Sequence, residues 1–138
     1  MPDITFDSLA LKLGDGTIDL DSHAFKVMLL ADTYTPDPAH AVLADVSAHE
    51  ISGVGYVAGG APLPNPTWSR SGGTVTFSAD EVTWPGATFT ARYGVIYDDS
   101  APNKDLLFLA DFGANKTVSS ATFTLQWNAA GVFRISKS

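Results

Sequence analysis

The chain has 138 residues, a formal net charge of −7 and no cysteine. This length is typical of one domain with a real hydrophobic core, and the lack of cysteine excludes disulfides and thiolate metal sites. The eight lysines and arginines include no adjacent pair, which argues against nucleic acid as a partner because its binders carry a basic stripe.

The sequence also argues against a membrane partner and against secretion. No apolar run approaches the about 20 residues of a membrane helix, and the first residues lack a secretory pattern. Charged residues make up 17% of the chain, below the usual share of about 25%. Such a composition favours a protein that lies against neighbours, because charge is depleted at the centre of interfaces.

The first part of the chain, residues 1–66, predicts few regular elements between long loops. Phe6, Leu9 and Leu13 have helical spacing, whereas Leu9, Leu11 and Leu13 also alternate, so residues 1–18 form a short helix or an irregular arm. Other expected features are a turn at 19–22, a buried strand at 24–31, a loop at 32–40, one helical turn within 42–51, and a short strand at 55–58.

The second part of the chain is a succession of short strands. The expected strands are Thr67–Arg70, Thr74–Ser78, Val82–Trp84, Ala87–Tyr97, Leu106–Phe112, Ala121–Trp127 and Val132–Ile135, separated by turns at 71–73, 85–86, 113–116 and 128–131. This pattern predicts an all-β fold, an antiparallel β-sandwich of jelly-roll type with long loops and room for one short helix, as a single domain over residues 1–138.

The longest predicted strand ends on two adjacent aspartates. Alternation places Ala87, Phe89, Ala91, Tyr93, Val95 and Tyr97 on one core-facing side. Asp98 and Asp99 then begin a hairpin loop. Aspartate accepts hydrogen bonds from nearby backbone amides, so a turn is favoured over a metal or catalytic site for this pair.

Other candidate sites fail on spacing. Asp15, Asp19 and Asp21 lack the glutamate of a calcium loop, and no second histidine completes a zinc motif after His49-Glu50. The glycines of residues 53–60 have no phosphate-loop context and indicate a flexible loop. Because no nucleophile–base pair is found, we predict no catalytic, cofactor-binding or metal residue, and a protein that is not an enzyme; a small hydrolase using Glu81 is the weakest alternative.

The three tryptophans allow two interpretations. Trp68, Trp84 and Trp127 lie in or beside predicted strands, where tryptophan most often anchors a core or an interface. Exposed tryptophans could instead stack on sugar rings. The location of these side chains therefore discriminates between a structural protein and a glycan-binding module.

Three segments carry a family resemblance: GVIYDDS (94–100), LLFLADFGANKTVSSATFTLQWNAAGVFRI (106–135) and LDSHAFKVMLLADTYTPDPAHAVLADVSAHEISGVGYVAGG (20–60). They resemble small β-rich virion proteins of tailed bacteriophages, above all the capsid cement, or decoration, proteins. The resemblance implies a jelly roll, often dimeric, that binds the outer surface of the head and ties neighbouring capsomers together. It implies no catalytic residue and no cofactor.

From this resemblance we expect a homodimer that contacts the major capsid protein and is assembled in the host cytoplasm. The residues that we predict for partner contacts are Ile4, Phe6, Leu9, Tyr34 and Trp68. A segment such as residues 4–13 would reach a neighbour by strand addition. The alternative is a tail or fibre module that binds host glycans through Trp68 or Tyr56.

Overall fold

Two antiparallel sheets face each other in the computed structural model, which describes residues 3–128 and 131–136. The elements in that part of the chain are β1 (Ile4–Thr5), α1 (Ser8–Gly14), β2 (Phe25–Leu30), β3 (Ala61–Pro62), β4 (Thr67–Ser71), β5 (Thr74–Ser78), β6 (Val82–Asp98), β7 (Leu106–Leu125) and β8 (Phe133–Ser136), with 3-10 turns at Leu43–Asp45 and Ser47–His49. The larger sheet has the order β1-β7-β6-β2-β3, and the smaller has the order β4-β5-β8. The predicted all-β antiparallel sandwich is confirmed.

The larger sheet is buried on both faces. Between the sheets, the rings of Phe25 and Phe77 meet edge-on with centroids 5.5 Å apart. On the opposite face, Met28 of β2 packs in a second cluster with Tyr34 and Val46 from the segment between β2 and β3. Burial on both sides explains why β2 reads as an almost continuous apolar run.

The predicted turn at Pro85-Gly86 is wrong, because β6 continues through it. The pairing register shifts by one residue between Trp84 and Ala87, and Gly86 has a φ of +59°. Proline and glycine therefore form a bulge here. The chain does not reverse because β7 supplies partners on both sides of the bulge.

The predicted turn at residues 113–116 is also wrong, since β7 is one strand of 20 residues. Between the Ala91–Lys116 pair and the Tyr93–Asp111 pair, β7 covers five residue steps whereas β6 covers two. Glycine at position 113, with a φ of +83°, allows the backbone to bulge out without ending the strand.

At the irregularity beside Arg92, the alternation of side chains along β6 is reversed between the two faces of the larger sheet. Ala91 packs between the sheets, whereas Tyr93, Val95 and Tyr97 pack in the cluster on the opposite face. The prediction that Ala87–Tyr97 alternates without a break is therefore wrong beyond Ala91. A bulge shifts the period-two pattern by one residue.

The first half of the chain agrees with its predictions except at one strand. The helix at Ser8–Gly14, the strand at Phe25–Leu30 and the helical turns within 42–51 are confirmed. The strand predicted at 55–58 is wrong, and β3 lies instead at Ala61–Pro62. The turn predicted at 128–131 includes residues 129 and 130, which lie outside the described residues. No helix within residues 3–128 and 131–136 is long and apolar enough to cross a bilayer.

Candidate functional site

Three of the residues predicted for partner contacts lie in the core of the chain itself. The exposed fractions of Phe6, Leu9 and Tyr34 are only 1%, 2% and 2%. Ile4 is half-buried in β1, which pairs antiparallel with β7 through the Ile4–Leu109 register. The predicted amino-terminal arm is thus folded onto its own sandwich, and these side chains stabilise it.

The two aspartates that end β6 point in different directions. Asp98 is fully buried: its carboxylate accepts hydrogen bonds from the backbone amides of Ser100 and Ala101 at 3.0 and 3.2 Å, and it contacts His23 Nδ1 at 2.5 Å. Asp99 instead binds Lys104 Nζ at 2.9 Å. The pair closes the hairpin, as the turn interpretation predicted.

A third carboxylate at the same hairpin is buried with a single cation. Asp105 has no exposed surface, and its Oδ1 lies 3.4 Å from Lys12 Nζ of α1. Neither carboxylate oxygen accepts a hydrogen bond from a described residue. The ion pair therefore ties α1 to the hairpin but leaves the charge poorly solvated.

The glycine-rich segment at 53–60 is held by a polar network. Glu50 accepts hydrogen bonds from the Tyr56 hydroxyl and the Gly59 amide, both at 2.7 Å, and the Tyr97 hydroxyl donates to the Gly59 carbonyl at 2.6 Å. Burial raises the pKa of Tyr97 to about 12. Burial and then the bond to Glu50 raise the pKa of Tyr56 above its ordinary value. These contacts hold in place a segment that the sequence indicated as flexible.

The remaining sequence candidates serve local structure. Asp15 accepts a hydrogen bond from the Thr17 amide, and Asp19 accepts bonds from the Asp21 amide and the Ser22 hydroxyl. Hydrogen bonding to the Thr17 side chain and then to its amide holds the pKa of Asp15 below its usual value, and bonding to the Ser22 side chain and then to the Asp21 amide lowers the pKa of Asp19. Among residues 3–128 and 131–136, no three histidines, aspartates or glutamates converge as a metal site.

The tryptophans divide between core and clefts. Trp84 is buried between the sheets with 4% of its surface exposed, whereas Trp68 and Trp127 are half-buried. Trp68 lines a cleft of about 300 Å³ with Ile18 and Asp19. Trp127 lines another of about 590 Å³, whose other walls are Ala79, Asp80, Glu81 and Gln126. An aromatic surface for a ligand therefore exists at two places.

A uniform surface of exposed threonines lies on the part of the β6–β7 hairpin beyond the bulge at Arg92. Its outward side chains, here called the threonine face, are Thr83, Thr88, Thr90, Thr117, Thr122 and Thr124, all of which are exposed. They alternate with inward residues such as Trp84 and Phe89.

Direct cross-strand pairing orders the threonine face. Thr83 stands opposite Thr124, and Thr90 stands opposite Thr117, whose Oγ1 atoms are 2.9 Å apart. Residues 82–91 and 117–128 contain no charged side chain, although the chain has a net charge of −7. Sequence reasoning missed this surface, but these two uncharged segments were its signal.

The same part of β7 also has an open edge. On the side away from β6, β1 pairs only with Phe108 and Leu109. Among the described residues, no backbone hydrogen bond or bridge covers that edge between Phe112 and Leu125. An open edge of this length presents unpaired amides and carbonyls to a partner strand.

This part of the described structure therefore presents exposed hydroxyl side chains beside unpaired backbone groups. Comparison of the chain with protein-family models, with curated proteins and with solved structures found no match.

Proposed function

We propose that this chain is a structural protein of a tailed-bacteriophage virion, a capsid cement protein that binds the outer surface of the head. It acts as a homodimer, contacts the major capsid protein and performs no reaction. The observation that carries the proposal is the exposed and uncharged threonine face in an otherwise acidic chain.

The physical case rests on where charge is missing. Uncharged hydroxyl side chains lose less solvation on contact than carboxylates do, so the threonine face can lie against a shell at low cost. The acidic remainder repels nucleic acid and suits the outside of a head filled with DNA. Many copies on one shell convert weak single contacts into strong attachment.

The family resemblance of residues 19–135 adds a second line of support. An uncharged β-surface alone favours adhesion but does not say to what, and the resemblance supplies the capsid as the partner. Assembly takes place in the host cytoplasm, where a chain without cysteine needs no oxidising compartment.

An electron-microscopy map of the particle that carries this chain tests the proposal. We expect many copies on the outer shell, each placed over a seam between capsomers, with the threonine face against the capsid. Density only at the tail, or in a few copies, would overturn the assignment as a cement protein.

The second candidate is a tail or fibre module that binds host glycans, and the cleft at Trp127 favours it. Gln126 donates to Glu81 at 2.8 Å, and Asn65 donates to the Asp80 carboxylate at 2.7 Å, so the polar walls are held beside the indole. Indole and fixed polar groups together suit a sugar ring.

Tryptophan fluorescence during titration with linear neutral oligosaccharides tests this second candidate. A saturable change that Gln126→Ala weakens and the distant Thr74→Ala preserves would support it. An unchanged signal at millimolar sugar would remove it.

A further inference from the structure

Three features of the β6–β7 hairpin bear on how two copies of this chain can meet. The first is the open edge of β7. Strand edges are protected by charge, proline or bulges, and β7 has Lys116 and an irregularity at Ser120, where φ is +48°. From Thr117 to Leu125 the strand has neither charge nor proline, so this part of the edge is open to strand addition apart from the irregularity at Ser120.

The second feature is neutrality. Any two copies, each with a net charge of −7, repel one another when they approach through their acidic surfaces. Residues 117–128 contain no charged side chain. Antiparallel pairing of this segment with the same segment of another copy therefore brings neutral threonines, serines and apolar residues face to face.

The third feature is charge complementarity between the two ends of the edge. Lys116 lies at one end, is exposed, and forms no ion pair with any described residue. Asp80 and Glu81 lie near the other end, on the β6 side of β7, because Val82 pairs with Leu125 and Glu81 is bonded to Gln126. Neither of these carboxylates has a cation partner among the described residues.

A two-fold axis exchanges the two ends of an antiparallel pair. Lys116 of each copy then comes to the end of the edge where Asp80 and Glu81 of the other copy lie, so the dimer contains two symmetric ion pairs. A parallel arrangement would leave all of these charges unpaired.

We propose that a second copy of this chain pairs antiparallel with the open edge of β7, which joins the two larger sheets and sets Lys116 of each copy against Asp80 and Glu81 of the other. The pairing aligns the two threonine faces as one surface. This inference rests on the proposed function in one respect, because the paired β7 edges are the contact surface of the homodimer proposed there.

Sedimentation equilibrium of the purified chain and its charge variants tests this dimer interface, here called the β7 seam. We expect a dimer at micromolar concentration. Lys116→Glu replaces attraction by repulsion at both symmetric contacts and should raise the dissociation constant by about tenfold or more. Adding Glu81→Lys to Lys116→Glu reverses the polarity of the pair and should restore dimerisation.

Arg70→Glu is the matched control. Arg70 is also exposed and has no ion pair among the described residues, but it lies on β4 in the smaller sheet, so its variant should dimerise like the parent chain. A monomeric parent chain, equal effects of Lys116→Glu and Arg70→Glu, or no rescue by the reversed pair would each overturn the seam. A dimer that is absent from the outer capsid surface would overturn the proposed function and leave the seam standing.

Discussion

Lys12 and Asp105 form the ion pair whose removal should be most costly. Asp105 is fully buried and its side chain has no other partner among the described residues, so Lys12→Met leaves an uncompensated charge in the core. We expect a loss of about 3 kcal/mol in the free energy of unfolding, measured by urea denaturation.

The control for this pair is Arg70→Met, which removes an exposed cation and should change stability by less than about 0.5 kcal/mol. Adding Asp105→Asn to Lys12→Met should recover part of the loss, because the buried charge is then removed. Equal stability of the Lys12→Met and Arg70→Met variants would contradict the role given to the ion pair.

The buried phenol of Tyr97 predicts a loss of stability in alkali. The pKa of Tyr97 is raised by burial from 10.0 to about 12, so folding favours its neutral form. The contribution of Tyr97 to the free energy of unfolding is complete below pH 10 and is lost as pH rises through about 12, because the unfolded chain releases the proton first. Denaturation at a series of pH values should show this decline.

Tyr97→Phe should make the alkaline decline less steep. It should also cost about 1 kcal/mol near neutral pH, since the hydroxyl bond to the Gly59 carbonyl is lost. The same alkaline profile in the parent chain and in Tyr97→Phe would show that the phenol does not titrate as inferred.

At the scale of elements, the segment 53–60 approaches the backbone of β2 closely at Gly60, which has no side chain. A Cβ at Gly60 would lie 1.9 Å from the Val27 carbonyl oxygen, and Gly60 has a φ of +91°. Gly16 has a similar φ of +84°, but nothing lies within 4 Å of its Cβ position. Comparing substitutions at Gly16 and Gly60 therefore separates the cost of backbone strain from the cost of a steric clash.

We expect Gly16→Ala to cost about 1 kcal/mol from the left-handed backbone alone. Gly60→Ala should cost roughly 3 kcal/mol more, because the backbone of β2 or of the loop must move. Thermal and urea denaturation of both variants measure the difference. Similar losses for the two would mean that the loop shifts freely and is not held against β2.

At the scale of the whole molecule, charge is separated from the surface proposed for docking. Thr90 and Thr117 face each other at the centre of the threonine face, with their side chains exposed. Replacing both by aspartate puts two like charges on that surface. We expect the variant to fold, because no core contact is lost, and to be absent from assembled particles.

Quantifying the protein in purified particles by mass spectrometry checks this expectation. The matched control is Ser69→Asp with Ser71→Asp on β4 of the smaller sheet, where both side chains are also exposed, and it adds the same charge away from the proposed contact surface. Normal occupancy by the Thr90→Asp, Thr117→Asp variant would remove the threonine face from the mode of attachment.

The sequence determined the fold class and most elements, because strand alternation and short-range turn chemistry are local properties. Strand β2 and the hairpin β4–β5 follow from such patterns, and helix α1 is one of the two alternatives that the pattern left open. It also predicted the turn role of Asp98, since an aspartate after a strand binds amides two and three residues ahead.

Only the tertiary structure decided how far β6 and β7 run and which surface they leave free. Pro85-Gly86 and residues 113–116 have turn composition, yet each is carried through as a bulge because a partner strand continues beside it. The open edge and the threonine face depend on which strands fail to pair with β7, and such a property belongs to the assembled sheet and not to any segment of the chain.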